Sequence, residues 1–433
     1  MKSVEGDADS ADTVEQRGRT RGGRFEFLDA LRGIAALAVV IEHFTDPLWS
    51  SYGRIIGQYF NFGVLGVFAF FLVSGYIIPA SLERGRSLGA FWVGRFFRLF
   101  PLFWVFLIAA VVLHYVGMYG GPPGFMVDPV WNLATNATMA HLFLAGHYSE
   151  ILIVAWTLSY ELAFYAFVSL LFLGGLNRRS VPVACLAIGA IPLAALFLPT
   201  ALVGGPEANL ATRLMVAAVT VAIAVFFGYR AAARGNSAGV AVLIAVLAVP
   251  LVLNQPGASG YSAAIFATMF VGTVLYRMTA GEISAWVGWG VFGIAAGLLL
   301  APRFVQQTVS DSAGAAEWGG LAGPAFTIVV AYLLFAVMLL LRRYSFPRPL
   351  LFLGRISFSL YLVHGLVNNA VPKWPESIFG GNAAWLTWST WMVVAIGLAT
   401  LTYHKIEQPF LRLGHRVMAR RDARTRPTPA PIA

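Results

Sequence analysis

The stretch FEFLDALRGIAALAVVIEHF (25–44) is apolar except for Glu26, Asp29, Arg32, Glu42 and His43. Ionisable groups at membrane depth are costly and mark functional sites by default. His43 lies 11 positions after Arg32. At about 100° per residue that is nearly three full turns, so both lie on one helix face, about 16 Å apart along the axis. A cation near the inner end and an imidazole deeper in suit an elongated anionic donor, with the imidazole as base or nucleophile. A snorkelling arginine and a hydrogen-bonded histidine satisfy the same spacing. Spacing alone does not separate the two readings.

Four further segments carry polar groups in apolar surroundings. GRFFRLFP (94–101) sets Arg95 and Arg98 three apart at a helix start. Two guanidiniums on one face make a phosphate clamp, or a cytoplasmic anchor. WTLSYELAFY (156–165) holds Glu161 beside Trp156, Ser159 and Tyr160, as a partner for His43 or for an arginine. By analogy with hydrolase triads, Glu161 or Glu42 would orient the imidazole. LGRISFSLYLVH (353–364) carries Arg355, Ser357, Ser359, Tyr361 and His364. Its small polar residues suit helix packing first, and Tyr361 and His364 share a face. In YHKIEQPF (403–410), Glu407 before Pro409 reads as a structural helix end. Asn136-Ala137-Thr138 matches the glycosylation triplet. No Gly-rich phosphate loop, metal-ligand cluster or nucleophile elbow occurs.

The elements that must position these residues follow from composition. The chain has 433 residues, 58% of them hydrophobic and only 12% charged, against about 25% charged in a soluble domain. The apolar excess comes in blocks of about 20 residues, the length of a bilayer-crossing helix. The blocks predict an all-α, polytopic bundle with spans at 26–45, 62–80, 97–117, 151–173, 181–203, 212–230, 238–253, 261–278, 283–301, 322–342, 355–371 and 384–403. The count is loosest in the middle, giving ten to twelve helices. With the N-terminus inside, every Lys and Arg falls on the cytoplasmic side except Arg54, Arg213, Arg303 and Lys373. Both termini are therefore expected in the cytoplasm. The net charge of +10 reads as this anchor and not as a nucleic-acid surface. Residues 1–24 read as a basic disordered tail, 25–412 as the membrane domain, and 413–433 as a second basic disordered tail. The longest outer segment, 118–150, contains His141 and His147 and no Lys or Arg, as a binding loop would. The single cysteine, Cys185, excludes an intrachain disulfide.

Taken in order, LDALRGIAALAVVIEHF, FFLVSGYII (70–78), RFFRLFPLFW, WTLSYELAFY, LGRISFSLYLVH and IEQPF resemble the membrane-bound acyltransferase-3 family. Its members O-acylate sugars of bacterial surface polysaccharides, lipopolysaccharide and macrolides. The resemblance covers most of the chain and is weak over 181–342. It implies an acyl-CoA co-substrate, usually acetyl-CoA, entering from the cytoplasm, with no bound cofactor and no metal. It also implies a multi-pass protein of the bacterial inner membrane and a carbohydrate or glycolipid acceptor, with a macrolide as the alternative. By position, His43 is the essential histidine and Arg32 its helix partner. Arg95 and Arg98 hold donor phosphates, and Glu161 is the fourth-helix acid. A secondary transporter is the competing reading from another class, since twelve spans with both ends inside suit one. The missing half-to-half repeat and the ordered motifs favour the enzyme.

Overall fold

The structure, a computed structural model, describes residues 26–44, 60–83, 87–120, 129–144, 150–197, 259–300, 323–371 and 383–425, with the single positions 239 and 378. The helices are α1 (26–44), α2 (Phe62–Glu83), α3 (Leu88–Tyr115), α4 (Pro129–Ala137), α5 (Trp156–Leu173), α6 (Ser180–Phe197), α7 (Ser259–Thr279), α8 (Ala285–Leu299), α9 (Gly323–Leu340), α10 (Arg348–Arg355), α11 (Ser357–Ala370), α12 (Ala384–Thr402) and α13 (Gln408–Thr425). No strand occurs among the described residues.

Among the described residues, five helical segments are long and apolar enough to cross a bilayer: α2, α3, α5, α7, and α12 running on into α13. The pair α10 and α11, bent by 71° at Ile356, is a sixth candidate. The apolar parts of α6, α8 and α9 are shorter, and α1 carries charges along its length. Every expected span meets a described helix except 212–230 and 238–253, which lie outside the described residues. Exposed Ile108, Val112, Leu186, Leu193, Trp286 and Val393 give the bundle an apolar outer surface, as lipid requires.

At the centre stands α2, packed on α7, α9 and α5. Without a hydrophobic drive between helices in lipid, close backbone approach supplies the packing energy. Two crossings depend on it. A Cβ on Gly75 would lie 1.8 Å from the Met269 carbonyl oxygen of α7. A Cβ on Gly354 would lie 1.9 Å from the Asp29 carbonyl oxygen, and one on Gly33 2.5 Å from that of Leu350. The glycines of the ALRG and LGRIS motifs thus press α1 against α10. At one edge of the bundle, buried Arg277 ties three helices together. It bonds both oxygens of Glu83, Glu282 at 2.9 Å, Ser180 Oγ at 3.2 Å and the Asn177 carbonyl at 2.9 Å.

Two expectations are corrected. Glu407-Gln408-Pro409 does not end a helix. Residues Tyr403–Glu407 form a π-turn in which the Gln408 N–H bonds the Tyr403 carbonyl. The widened turn accommodates the proline, which has no N–H to place. The helix then runs through Thr425, so residues expected as a tail from 413 instead pack on α3, where Gly414 lies against Phe97. Gly354→Val should lose about 3 kcal/mol or more through overpacking of the α1–α10 crossing. Gly397→Ala, on an open face with nothing within 4 Å, should leave folding unchanged. Size-exclusion profiles and thermal unfolding in detergent check the pair.

Candidate active site

α1, α2, α3, α5, α11 and α13 enclose a cavity of about 420 Å³, within the roughly 300–1,000 Å³ of small-molecule sites. Its ionisable lining includes Arg32, Arg95, Arg98, Glu161 and His415. Ser87 caps the start of α3, accepting from the Ala90 N–H at 3.2 Å, and the first turns of α3 then carry Arg95 and Arg98 to the cavity wall. The Arg95 guanidinium lies 5.3 Å from the ring centres of both Phe91 and Tyr165, cation–π contacts that fix it. Arg32 Nη1 is 3.9 Å from Asp29 Oδ1 and feels the charges of Arg98, Glu407 and Glu161. Glu161 accepts from the Tyr165 hydroxyl at 2.5 Å and from Ser74 at 3.4 Å. Glu407 is 3% exposed, accepts from Ser359 at 2.7 Å, and faces Arg98 and Arg32.

Tyr361 leads from this cavity toward His43. Its ring lines the cavity, and its hydroxyl bonds Thr157 at 2.8 Å and the Val154 carbonyl at 3.1 Å. One turn further along α11, the His364 ring centre lies 5.7 Å from that of Tyr361 and 5.0 Å from that of His43. His364 is fully buried, with Nδ1 3.3 Å from the Leu360 carbonyl and no partner for Nε2 among the described residues. A carbonyl accepts, so Nδ1 carries the hydrogen and Nε2 presents a lone pair.

The structure brings Arg32, Arg95, Arg98, Glu161 and Tyr361 around one cavity and sets His43 beside His364. Glu161 shares the cavity lining with Arg32, Arg95 and Arg98, and its hydrogen bonds go to Tyr165 and Ser74. Glu42 is bound at the start of α2, where its two oxygens accept from Asn61 Nδ2 at 2.9 Å and the Phe62 N–H at 2.8 Å. Tyr160 bonds Ser262 at 2.6 Å, away from the cavity lining, and Trp156 packs edge-on against it. Arg355 is exposed, over the Phe352 ring. Sequence reasoning missed Ser74, Tyr165 and Glu407 as members of the charged site. The Glu161–Tyr165 spacing of one turn was the available signal; Glu407 had none, because the π-turn that aims it is invisible in the motif.

The outer segment is built on buried polar contacts. His141 Nε2 is 3.2 Å from Glu150, and Asn136 accepts from the Ile151 N–H at 3.0 Å. Asn136 is fully buried inside α4, so the glycosylation reading of its triplet is corrected. Burial and the nearby Glu150 push the Tyr119 phenol up to about 12, which keeps it a donor to the Ile151 carbonyl at 2.7 Å. No group of three or more His, Cys, Asp or Glu suited to a metal occurs among the described residues.

A family model of the acyltransferase-3 type, described as an acyltransferase domain, matches residues 25–404. The protein called acyltransferase MdmB, from Streptomyces mycarofaciens, is 26% identical over 94% of this chain and 96% of its own length. No solved structure matches. The family match spans the motif helices from α1 to the π-turn, including every wall of the charged cavity except α13, and the chain belongs to the acyltransferase-3 family of multi-pass membrane acyltransferases.

Proposed function

We propose that this membrane acyltransferase moves an acyl group, by default acetyl, from acyl-CoA to a hydroxyl of a cell-surface carbohydrate or lipid-linked sugar. The observation that carries the donor assignment is the cavity in which Arg32, Arg95 and Arg98 converge. Guanidiniums are suited to bidentate phosphate binding. The roughly 16 Å from Arg32 to His43 is a span that an extended pantetheine arm bridges. Tyr361 and His364 mark the path along α11 between the two. The carbohydrate acceptor rests on the motif resemblance. A bacterial inner-membrane location follows from a cytoplasmic donor and the Lys/Arg distribution.

In this mechanism His43, neutral at the start, accepts the proton of the acceptor hydroxyl as its oxygen attacks the thioester carbonyl. The carbon–sulfur bond breaks, and the imidazolium returns its proton to the departing thiolate. The products are the ester and free coenzyme A. No bound cofactor takes part; acyl-CoA is a co-substrate.

Purified protein in nanodiscs, given labelled acetyl-CoA and an oligosaccharide acceptor, tests the reading. His43→Ala should cut transfer by about 10²-fold or more while leaving the size-exclusion profile unchanged; full activity in that variant would overturn the assignment. Acceptor crossing the bilayer without acylation would support a transporter instead. Arg98→Ala should raise the KM for acetyl-CoA by about tenfold or more, the worth of a hydrogen bond to a charged group, with a smaller effect on kcat. Steady-state kinetics at varied donor concentration read the difference.

A further inference from the structure

The first turn of α11 opens on the charged cavity, with Ser357 and Phe358 in its lining. Helices expose N–H groups at their starts, and these need partners when buried. Ile356, at the N-cap, has no side chain able to accept, and no side-chain cap bond is present. With Ile356 at the N-cap, the Leu360 N–H closes the first turn on the Ile356 carbonyl at 2.8 Å, so the N–H groups of Ser357, Phe358 and Ser359 have no partner within α11 itself. The Ser359 hydroxyl is committed to Glu407. The Ser357 hydroxyl is fully buried, borders the cavity, and has no hydrogen-bond partner among the described residues.

An uncapped helix start, a buried hydroxyl without a partner and three guanidiniums around one cavity are the elements of an anion site. The arginines are not a bare positive cluster. Asp29, Glu161 and Glu407 face them, so formal charge at the cavity is close to balanced. Discrimination then falls to neutral donors of fixed direction, which the α11 N-terminus and Ser357 supply.

We propose that the N-terminal turn of α11, with the Ser357 hydroxyl, binds a phosphate group, and that in turnover this is the pyrophosphate of the acyl-CoA donor. The second half rests on the donor reading above. Seated there, the pyrophosphate lies at the start of the same helix whose Tyr361 and His364 run toward His43. α11 thereby aligns the donor along its own axis.

Steady-state kinetics with two donors test the site. Acetyl-CoA carries the pyrophosphate; acetyl-pantetheine carries the same thioester arm without phosphate. Ser357→Ala should raise the KM for acetyl-CoA about tenfold and leave kcat/KM for acetyl-pantetheine unchanged, while Ser357→Thr, which keeps the hydroxyl, stays within about twofold of the parent. Equal losses with both donors would mean a packing role and overturn the proposal, as would no change with either. Inorganic pyrophosphate separates this site from the donor reading. Its binding by calorimetry, weakened about tenfold in Ser357→Ala, supports the anion site even in a protein that consumes no acetyl-CoA. Absence of pyrophosphate binding to the parent protein overturns it.

Discussion

A charge inside a helical membrane bundle must find a partner or leave, and the rest of this structure depends on that constraint. Glu161 is held by Tyr165 and Ser74, Glu407 by Ser359, and Arg95 by two aromatic faces. Each contact comes from a different helix or a different turn, so the site exists only when α1, α2, α3, α5, α11 and the π-turn are all assembled. The desolvation cost of each ion makes an isolated one untenable. Matching also immobilises the guanidiniums before any ligand arrives, and pre-ordered donors lose less entropy on binding.

Glycine crossings allow that assembly. Gly354 against Asp29 and Gly33 against Leu350 bring α10 within backbone contact of α1 at the level of Arg32. The 71° bend at Ile356 then turns α11 so that its side chains run from the cavity to His43. Arg277 performs a separate task at the C-terminal ends of α2 and α7, where its bonds to Glu83, Glu282 and Asn177 lock three helices without touching the cavity.

Much of this was legible in the chain. Helix-length apolar blocks located the helices, and the cost of Arg32 and Glu161 at membrane depth marked them as candidates, while Arg95 and Arg98 read equally as a cytoplasmic anchor. Family motifs then tied them to one chemistry. What the sequence hid is instructive. Glu42 looks equivalent to His43 in a linear reading, yet a one-residue step turns a side chain by about 100°, and Glu42 meets the N-terminus of α2 instead. Glu407 reads as a boundary residue because Pro409 normally stops a helix. The basic composition of 413–425 reads as a tail, since composition cannot show that Gly414 and Met418 have α3 to pack on.

The π-turn has a mechanical consequence. Because the helix does not stop at Pro409, Ala384–Ala419 is one continuous helical segment of 36 residues, about 54 Å long, which exceeds the roughly 30 Å hydrocarbon core. Its far end supplies Leu411, His415 and Met418 to the wall of the charged cavity, while its near end packs on α11 through Trp391 and its neighbours. One continuous helix therefore joins the packing around Trp391 to a wall of the charged cavity, so a single element positions both regions.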